Sequence, residues 1–574
     1  MKTEPPSRPK IAKHPLLQYL PILKWFPRYQ FSWLVADLLA GLTIWAVMVP
    51  EAMAYAGIVG VPPVIGLYTV IIPPFAYALL GTSRIIVIGP DSATGLISSV
   101  TVGGLALSGS KEYLALTSAI ALLVGVFFLL FGLLRMGWVA NFIPAPVLRG
   151  FIQGLVWVTI IGQVPKLLGI EGGSGNFFEK FLAIAHHLPQ VNLLTTTLGI
   201  TSLLLLFLFK KFIPKLPGVL IAVVLAILTV TFLGLGNKGV EVVGTIDRGL
   251  PNFTVPSVSW TQLQALVPSS LAIVLLGYAE TLGAAKAAAE KTGGEIDPNQ
   301  ELISHGAANF GAAFSSGFLV VGSLSKTSVA MEAGAKTQVA SVFCSVLTIF
   351  TLLFLMPLFQ NLPHATLGAI VIEAMLGLVN FNYFKNLRRI NFPEFITAIV
   401  AFCGQLIFGV LPGIGLGIVL SILLLVYHST HPSTAVLGKL PGESMYRDIL
   451  RHPEARLIPG LLIFRFDSDL VFPSANYFES QLKLAIAQNP TPVKEVLIDG
   501  ESINLIDITA IEMLTKLREK LIDKGISLSL ARVKDSVRDT IRRSGLEKAI
   551  GPDRFYERIT DGVNVFIQNH KSKS

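Results

Sequence analysis

Over its first 430 or so residues the chain alternates long apolar stretches with short polar breaks, and then changes character. A run such as LTSAIALLVGVFFLLFGLL, Leu116 to Leu134, is long enough to cross the hydrocarbon core of a bilayer as a helix. Hydropathy and helix breakers predict about fourteen such segments, some short or interrupted. They lie near 33–57, 63–80, 86–106, 114–134, 141–162, 192–210, 217–235, 264–286, 301–317, 321–338, 340–359, 364–380, 393–410 and 412–428. From about residue 437 charges return and apolar runs shorten. LLIFRF (461–466), KEVLIDG (494–500) and ISLSLARV (526–533) read as strands, with helical patterns at 474–488, 508–524 and after 535. Strands alternating with helices predict a small α/β domain.

Two breaks share one grammar. IIVIGPDSATGLISS (85–99) interrupts the third segment and VVGSLSKTSVAMEAGAKTQ (320–338) the tenth. Each runs from β-branched residues through a glycine to a residue that can cap a helix start. Gly89-Pro90 stops regular helix and Asp91 or Ser92 can cap a new one; Gly322 with Ser323 to Ser325 can do the same. Segments three and ten are seven apart, so two inverted repeats of seven would bring the breaks together near the midplane. Facing half-helix N-termini present free N–H groups and positive dipole ends, which suits an anion.

Composition agrees with membrane residence. Of 574 residues 52% are hydrophobic and only 14% charged, with mean hydropathy +0.65; a soluble protein carries about 25% charge. The formal charge of +9 is spread through alternate loops rather than gathered for nucleic acid. Arg84, Arg135, Lys210, Lys211, Lys215, Lys286, Lys291, Lys385, Arg388 and Arg389 fall on one side, which places both termini in the cytoplasm. Lys166 and Lys180 are the exceptions. The basic, proline-rich start has no signal-peptide pattern. Cys344 and Cys403 sit in apolar runs and suggest neither disulfide nor metal. No phosphate loop, metal cluster or nucleophile–base pair is found, so no cofactor and no enzyme are expected, and an ATP-driven pump is disfavoured.

Several motifs resemble the SulP anion transporters, or sulfate permeases: DLLAGLT (37–43), VPEAMAYAGIVGVPPVIGLYT (49–69), GPDSATGL (89–96), IDPNQELISHGAANFGAAFSSG (296–317) and GSLSKTSVAMEAGAKTQ (322–338). IDITAIEML (506–514) resembles the STAS module that ends many of them. The resemblance covers essentially the whole chain, in order. It implies a polytopic α-helical membrane protein with a 7+7 inverted repeat, split into core and gate domains and followed by a cytoplasmic α/β STAS domain. It also implies a homodimer, and an anion (sulfate, bicarbonate or carboxylate) held between the third and tenth segments. The expected organisation is an N-terminal cytoplasmic segment 1–32, a transporter domain 33–430, a linker 431–456 and the STAS domain 457–570.

The half-helix starts offer Ser92, Ala93 and Thr94 on one side and Ser323 on the other as substrate contacts, and the resemblance adds Ser325, where the family's anion-contacting serine falls, and Lys326. Lys326 stands where the family usually has arginine, which keeps the charge but loses the planar fork; its bland role is snorkelling to water. Glu51 replaces an expected glutamine. It can carry a proton, pair with Lys326, or sit idle in a wet cavity. Asp91 reads first as a cap. Tyr55 and Phe314 are candidates for an apolar wall, or for packing. Glu280, in LLGYAETLGAAKAA (275–288), matches the acidic residue that couples protons in the family and that helps hold sodium in other members. Lys286 can pair with it or mark the cytoplasmic end. Thr509 stands at the phosphorylated position of the STAS motif, where capping is the simpler duty.

These readings combine into a secondary transporter in the inner or plasma membrane that moves sulfate with protons by alternating access, Glu280 and Glu51 coupling the ion. Alternatives are sodium-coupled bicarbonate or dicarboxylate transport, an exchanger, channel or electromechanical protein of the same fold, a nucleobase carrier, and a membrane-tethered signalling protein whose STAS domain recruits a cytoplasmic partner.

Overall fold

The computed structural model describes residues 20–138, 144–173, 175–213, 217–245, 249–292 and 294–571. Most of the expected N-terminal segment, the start of the fifth expected segment and Lys215 lie outside the described residues. The chain divides into two compact units after Val419.

In the first unit, eight helices among the described residues are long and apolar enough to cross a membrane. They include α1 (Leu34–Val59); two shorter apolar helices, Gly218–Leu233 and Phe392–Phe408, join them, and a third, Gly415–Thr430, begins at the end of this unit and runs into the second. Backbone groups in lipid must be satisfied within the segment, so apolar runs of this length become helices. The third and tenth segments depart from that rule as the sequence predicts. The third is a strand, β1 (Val87–Gly89), followed by α2 (Ser92–Gly103). After it come α3 (Ala145–Leu168), α4 (Leu193–Phe212), α5 (Trp260–Thr292) and α6 (Pro298–Phe314). The tenth is again a strand, β2 (Val321–Ser323), followed by α7 (Leu324–Glu332). Next are α8 (Val339–Phe350), α9 (His364–Leu376) and α10 (Phe392–Phe408). Helices 177–187 and 381–390 were not expected from hydropathy; both are short and polar-faced.

Small residues set how closely the helices approach, as is usual where no hydrophobic force acts between helices in lipid. A Cβ at Gly66 would fall 2.0 Å from the Ala52 carbonyl oxygen, and one at Gly150 2.1 Å from that of Ala398. The DLLAGLT motif acts here. Gly41 abuts the Ala340 carbonyl, and buried Asp37 accepts from the Lys336 and Thr337 amides at 2.6 and 3.0 Å. That carboxylate takes up orphan donors just ahead of α8.

The second unit holds a six-stranded sheet in the order β4-β3-β5-β6-β7-β8. Its strands are β3 (Thr434–Lys439), β4 (Tyr446–Asp448), β5 (Leu461–Phe466), β6 (Glu495–Asp499), β7 (Ser527–Ala531) and β8 (Phe555–Tyr556). β5 to β8 are parallel, while β3 runs antiparallel to both β4 and β5. Leu462, Phe464 and Phe466 face one core and Leu461 and Ile463 the other, so β5 reads as a continuous apolar run. Residues 434–448, expected within a linker, instead supply β3 and β4: their pairing on the edge of β5 is a long-range event that composition does not signal. Thr509 is exposed and does not cap its helix; Asp507 does, accepting from the Ala510 amide at 2.8 Å.

Candidate functional site: two facing half-helices

β1 and β2 pair antiparallel, with Val87 opposite Ser323, Ile88 opposite Gly322 and Gly89 opposite Val321. The two breaks therefore meet and satisfy each other's backbone inside the membrane unit, which lipid could not do. Close approach explains the glycines. A Cβ at Gly322 would lie 2.6 Å from Ile86 Cδ1, and one at Gly277 on α5 2.5 Å from Val321 Cγ1.

Long side chains hold each strand in place. Asn309 on α6 accepts from the Val320 amide and donates to its carbonyl, both at 2.9 Å. Gln338, just before α8, donates to the carbonyls of Ser83 and Ile86 at 3.1 and 2.9 Å. Thr327 accepts from the Val87 amide at 3.1 Å and donates to the Ser323 carbonyl. Thr281, next to Glu280, accepts from the Gly322 amide at 2.9 Å and contacts His305 Nε2 at 3.3 Å. His305 Nδ1 lies 2.9 Å from the Glu301 carbonyl. A carbonyl only accepts, so Nδ1 carries the proton and Nε2 is left to accept from the Thr281 hydroxyl.

Each half-helix begins with a side-chain cap. Asp91 accepts from the Ala93 and Thr94 amides at 2.8 and 3.2 Å. Ser323 accepts from the Lys326 amide at 3.4 Å and lies 3.1 Å from the Ser325 hydroxyl. Ser92, Ala93 and Thr94 are buried, whereas Leu324 and Ser325 are exposed at the start of α7.

Lys326 does not snorkel. It is 3% exposed, and its Nζ lies 3.1 Å from Glu51 Oε2 and 3.1 Å from the Pro90 carbonyl oxygen. It thus reaches from the tenth segment to both the first and the third. Its ammonium also sits 5.0 Å from the centre of the Tyr55 ring. Glu51 and Tyr55 are four residues apart on α1, hence on one face, just past Pro50. Glu280 is half-buried and has no hydrogen bond or ion pair among the described residues. Lys286 is exposed and does not pair with it. Phe314 stacks with Phe253 and Phe310 at the end of α6. Thr281, Thr327, His305 and Asn309 were missed by sequence reasoning, although all four lie within or beside the motifs quoted above.

A helical membrane unit built round two paired half-helices, followed by a separate α/β unit, defines a multi-pass membrane protein of the inverted-repeat transporter class. The sequence matches the model of the sulfate permease family over residues 34–401 and that of the STAS domain over 452–562. The chain belongs to the sulfate permease family of anion transporters and carries a C-terminal STAS domain. It is 35% identical to a probable sulfate transporter of Mycobacterium tuberculosis, over 94% of this chain and 97% of that one. It is 30% identical to the chloroplastic sulfate transporter 4.1 of Arabidopsis thaliana, over 96% and 83%. The fold is shared with murine Solute Carrier 26 family member A9 in its inward-facing state, at TM-score 0.89 and 24% identity over 98% and 97% of the two chains. The transmembrane domain of a cyanobacterial bicarbonate transporter matches at TM-score 0.60 and 22% identity, over 68% and 98%.

Proposed function

We propose that the protein carries sulfate across the cell membrane together with protons, and that Glu280 is the proton carrier. The observation that supports this most is the partnering of the carboxylates round the half-helices. Asp91 is engaged by two backbone amides and Glu51 by Lys326, but Glu280 has neither amide nor cation among the described residues. With Glu51 and Lys326 offsetting one another, the anion is left to the exposed start of α7 and the facing start of α2. An ionised Glu280 beside that site repels the anion, and a proton removes the repulsion. Ser92, Ala93, Thr94, Ser323 and Ser325 contact the anion, Tyr55 forms the wall beneath Lys326, and Glu51 tunes the lysine rather than carrying a proton itself.

The transporter domain, 33–430, works by alternating access, the core holding the half-helices and moving against the gate. The protein is a homodimer of the inner membrane and not an enzyme. Its N-terminus and STAS domain are cytoplasmic, and the STAS domain meets a protein partner there. Uptake of labelled sulfate into proteoliposomes under an inward proton gradient tests the reading. Wild-type uptake that follows the gradient, lost in Glu280→Gln while sulfate still binds, supports it. Uptake driven only by sodium, or of bicarbonate or a dicarboxylate but not sulfate, overturns it.

A further inference from the structure

The helix Phe381–Ile390, between α9 and α10, has 10 residues, too few to cross a bilayer. Its start is fixed by its neighbours. Gln153 on α3 donates to the Leu378 carbonyl at 2.8 Å, and Asn380 caps the helix by accepting from the Tyr383 amide at 3.0 Å. One face is covered: Leu387 is buried, Tyr383 and Phe384 are half-buried, and α10 packs alongside. Lys385, Arg388 and Arg389 stand at i, i+3 and i+4 on the other side, with Phe381 one turn earlier on the same face. All four are exposed, Phe381 by 67%. Arg149, exposed on α3 one turn before Gln153, places its guanidinium 5.7 Å from the centre of the Tyr383 ring. Lys385, Arg388, Arg389 and Arg149 make no ion pair among the described residues, and Glu394, in the first turn of α10, offsets none of them. The depth of this face follows from the chain. α10 begins two residues after Ile390, and it turns the apolar side chains of Phe392, Ile396 and Ile407 outward along one side. On a membrane-spanning helix such a stripe faces acyl chains. Arg389 is three residues from Phe392, a reach of about 11 Å at most, so the cations lie at the level of the headgroups.

We propose that the exposed face of helix 381–390, with Arg149 beside it, docks the headgroups of anionic phospholipids. Phe381 enters the acyl boundary while the three cations of the helix and Arg149 meet the lipid phosphates, as on an amphipathic helix lying in the interface. The arginines present planar forks that match phosphate oxygens, and Lys385 adds a point charge. The excess of Lys and Arg in the loops on this side marks the cytoplasmic leaflet, where anionic lipid gives the surface its negative potential. The inference does not depend on which anion the protein carries. The alternative duty is a solvated basic end that only orients the chain, and it requires no lipid preference.

The test is lipid retention by the purified full chain in a neutral detergent, titrated with phosphatidylglycerol or phosphatidylcholine and read by native mass spectrometry. Wild type should retain phosphatidylglycerol on the order of tenfold more tightly than phosphatidylcholine. The triple variant Lys385→Gln, Arg388→Gln, Arg389→Gln should lose that preference. Lys516→Gln, Lys524→Gln and Lys548→Gln together remove the same charge from exposed positions of the α/β unit, and should leave retention within about twofold of wild type. Inorganic phosphate at the same concentration should not displace the lipid. Equal retention of the two lipids by wild type, an undiminished preference in the first triple variant, or an equal loss in the second overturns the proposal. Displacement by inorganic phosphate would make this a site for free anions instead, and a change of oligomeric state without loss of lipid would give the face to a second copy of the chain; either outcome defeats lipid docking. Should the first triple variant not fold, wild type in raised salt and Phe381→Ser still decide, since lipid retention unchanged in both defeats the proposal.

Discussion

The hydroxyl of Thr281 accepts the Gly322 N–H at 2.9 Å, so the residue beside Glu280 holds the strand that leads into the second half-helix. Helix α5, which carries Glu280, and the half-helix α7 are thereby joined through one hydroxyl. Thr281→Val removes the acceptor and leaves a buried amide without a partner, at a cost of about 1–3 kcal/mol. The KM for sulfate should rise in Thr281→Val and recover in Thr281→Ser, which keeps the oxygen. An unchanged KM in Thr281→Val would show that the strand holds its place without this contact.

Lys326 and Glu51 should be interdependent. Lys326→Gln leaves Glu51 buried and unpaired, which costs about 3–5 kcal/mol when one partner of a buried pair is removed. Thermal unfolding of the purified protein should show a lower Tm for Lys326→Gln and partial recovery when Glu51→Gln is added. Sulfate affinity should fall in Lys326→Gln, which leaves Glu51 as a negative charge with no cation beside the site, and recover in part in the double variant. Equal Tm values for the single and double variants would mean that the pair is not coupled.

Close backbone approach makes a steric prediction. Gly66→Ala places a methyl 2.0 Å from the Ala52 carbonyl oxygen, and backbone cannot swing aside as a side chain can. It should destabilise by about 1–3 kcal/mol or more. Gly236→Ala, whose Cβ would meet nothing within 4 Å, serves as the control and should stay within about 0.5 kcal/mol of wild type. Comparable Tm values for the two variants would refute the packing argument.

In the α/β unit, burial pushes the Glu547 carboxyl up, but hydrogen bonds from Arg538 and Arg542 outweigh this and hold it below the usual range. A carboxylate depressed in the folded state adds stability above its unfolded value, about 4.3, and loses that contribution as pH falls through the folded value. Hydrogen exchange over residues 535–550 should therefore be slower in wild type than in Glu547→Gln at neutral pH. Compared at equal pH, the difference should shrink below about pH 4. A difference that persists undiminished in acid would assign the effect to packing instead of charge.

Where sequence reasoning succeeded, the signal was local. The Gly89-Pro90-Asp91 run cannot continue a helix and can cap a new one, and the same holds for Gly322 to Ser325, so both half-helices are legible in one dimension. The strands at 461–466, 495–499 and 527–531 follow likewise from apolar runs bounded by turns. Local signals failed where the partner was distant. β3 exists because residues 434–439 pair with β5, and Thr509 loses its capping role to Asp507, which also accepts from the Phe472 amide at 2.6 Å.

By itself the sequence determined that this chain spans a membrane many times, that two spans break in matching places, and that an α/β domain follows. Hydropathy, helix capping and strand alternation act between near neighbours, so the order of residues is enough to read them. Only the tertiary structure decided which charges meet: Lys326 with Glu51 across 275 positions of chain, Lys210 with Glu373 across 163, and Glu280 with none among the described residues. Such pairings depend on which helix faces are brought together, and a free carboxylate differs from a paired one only through the packing around it.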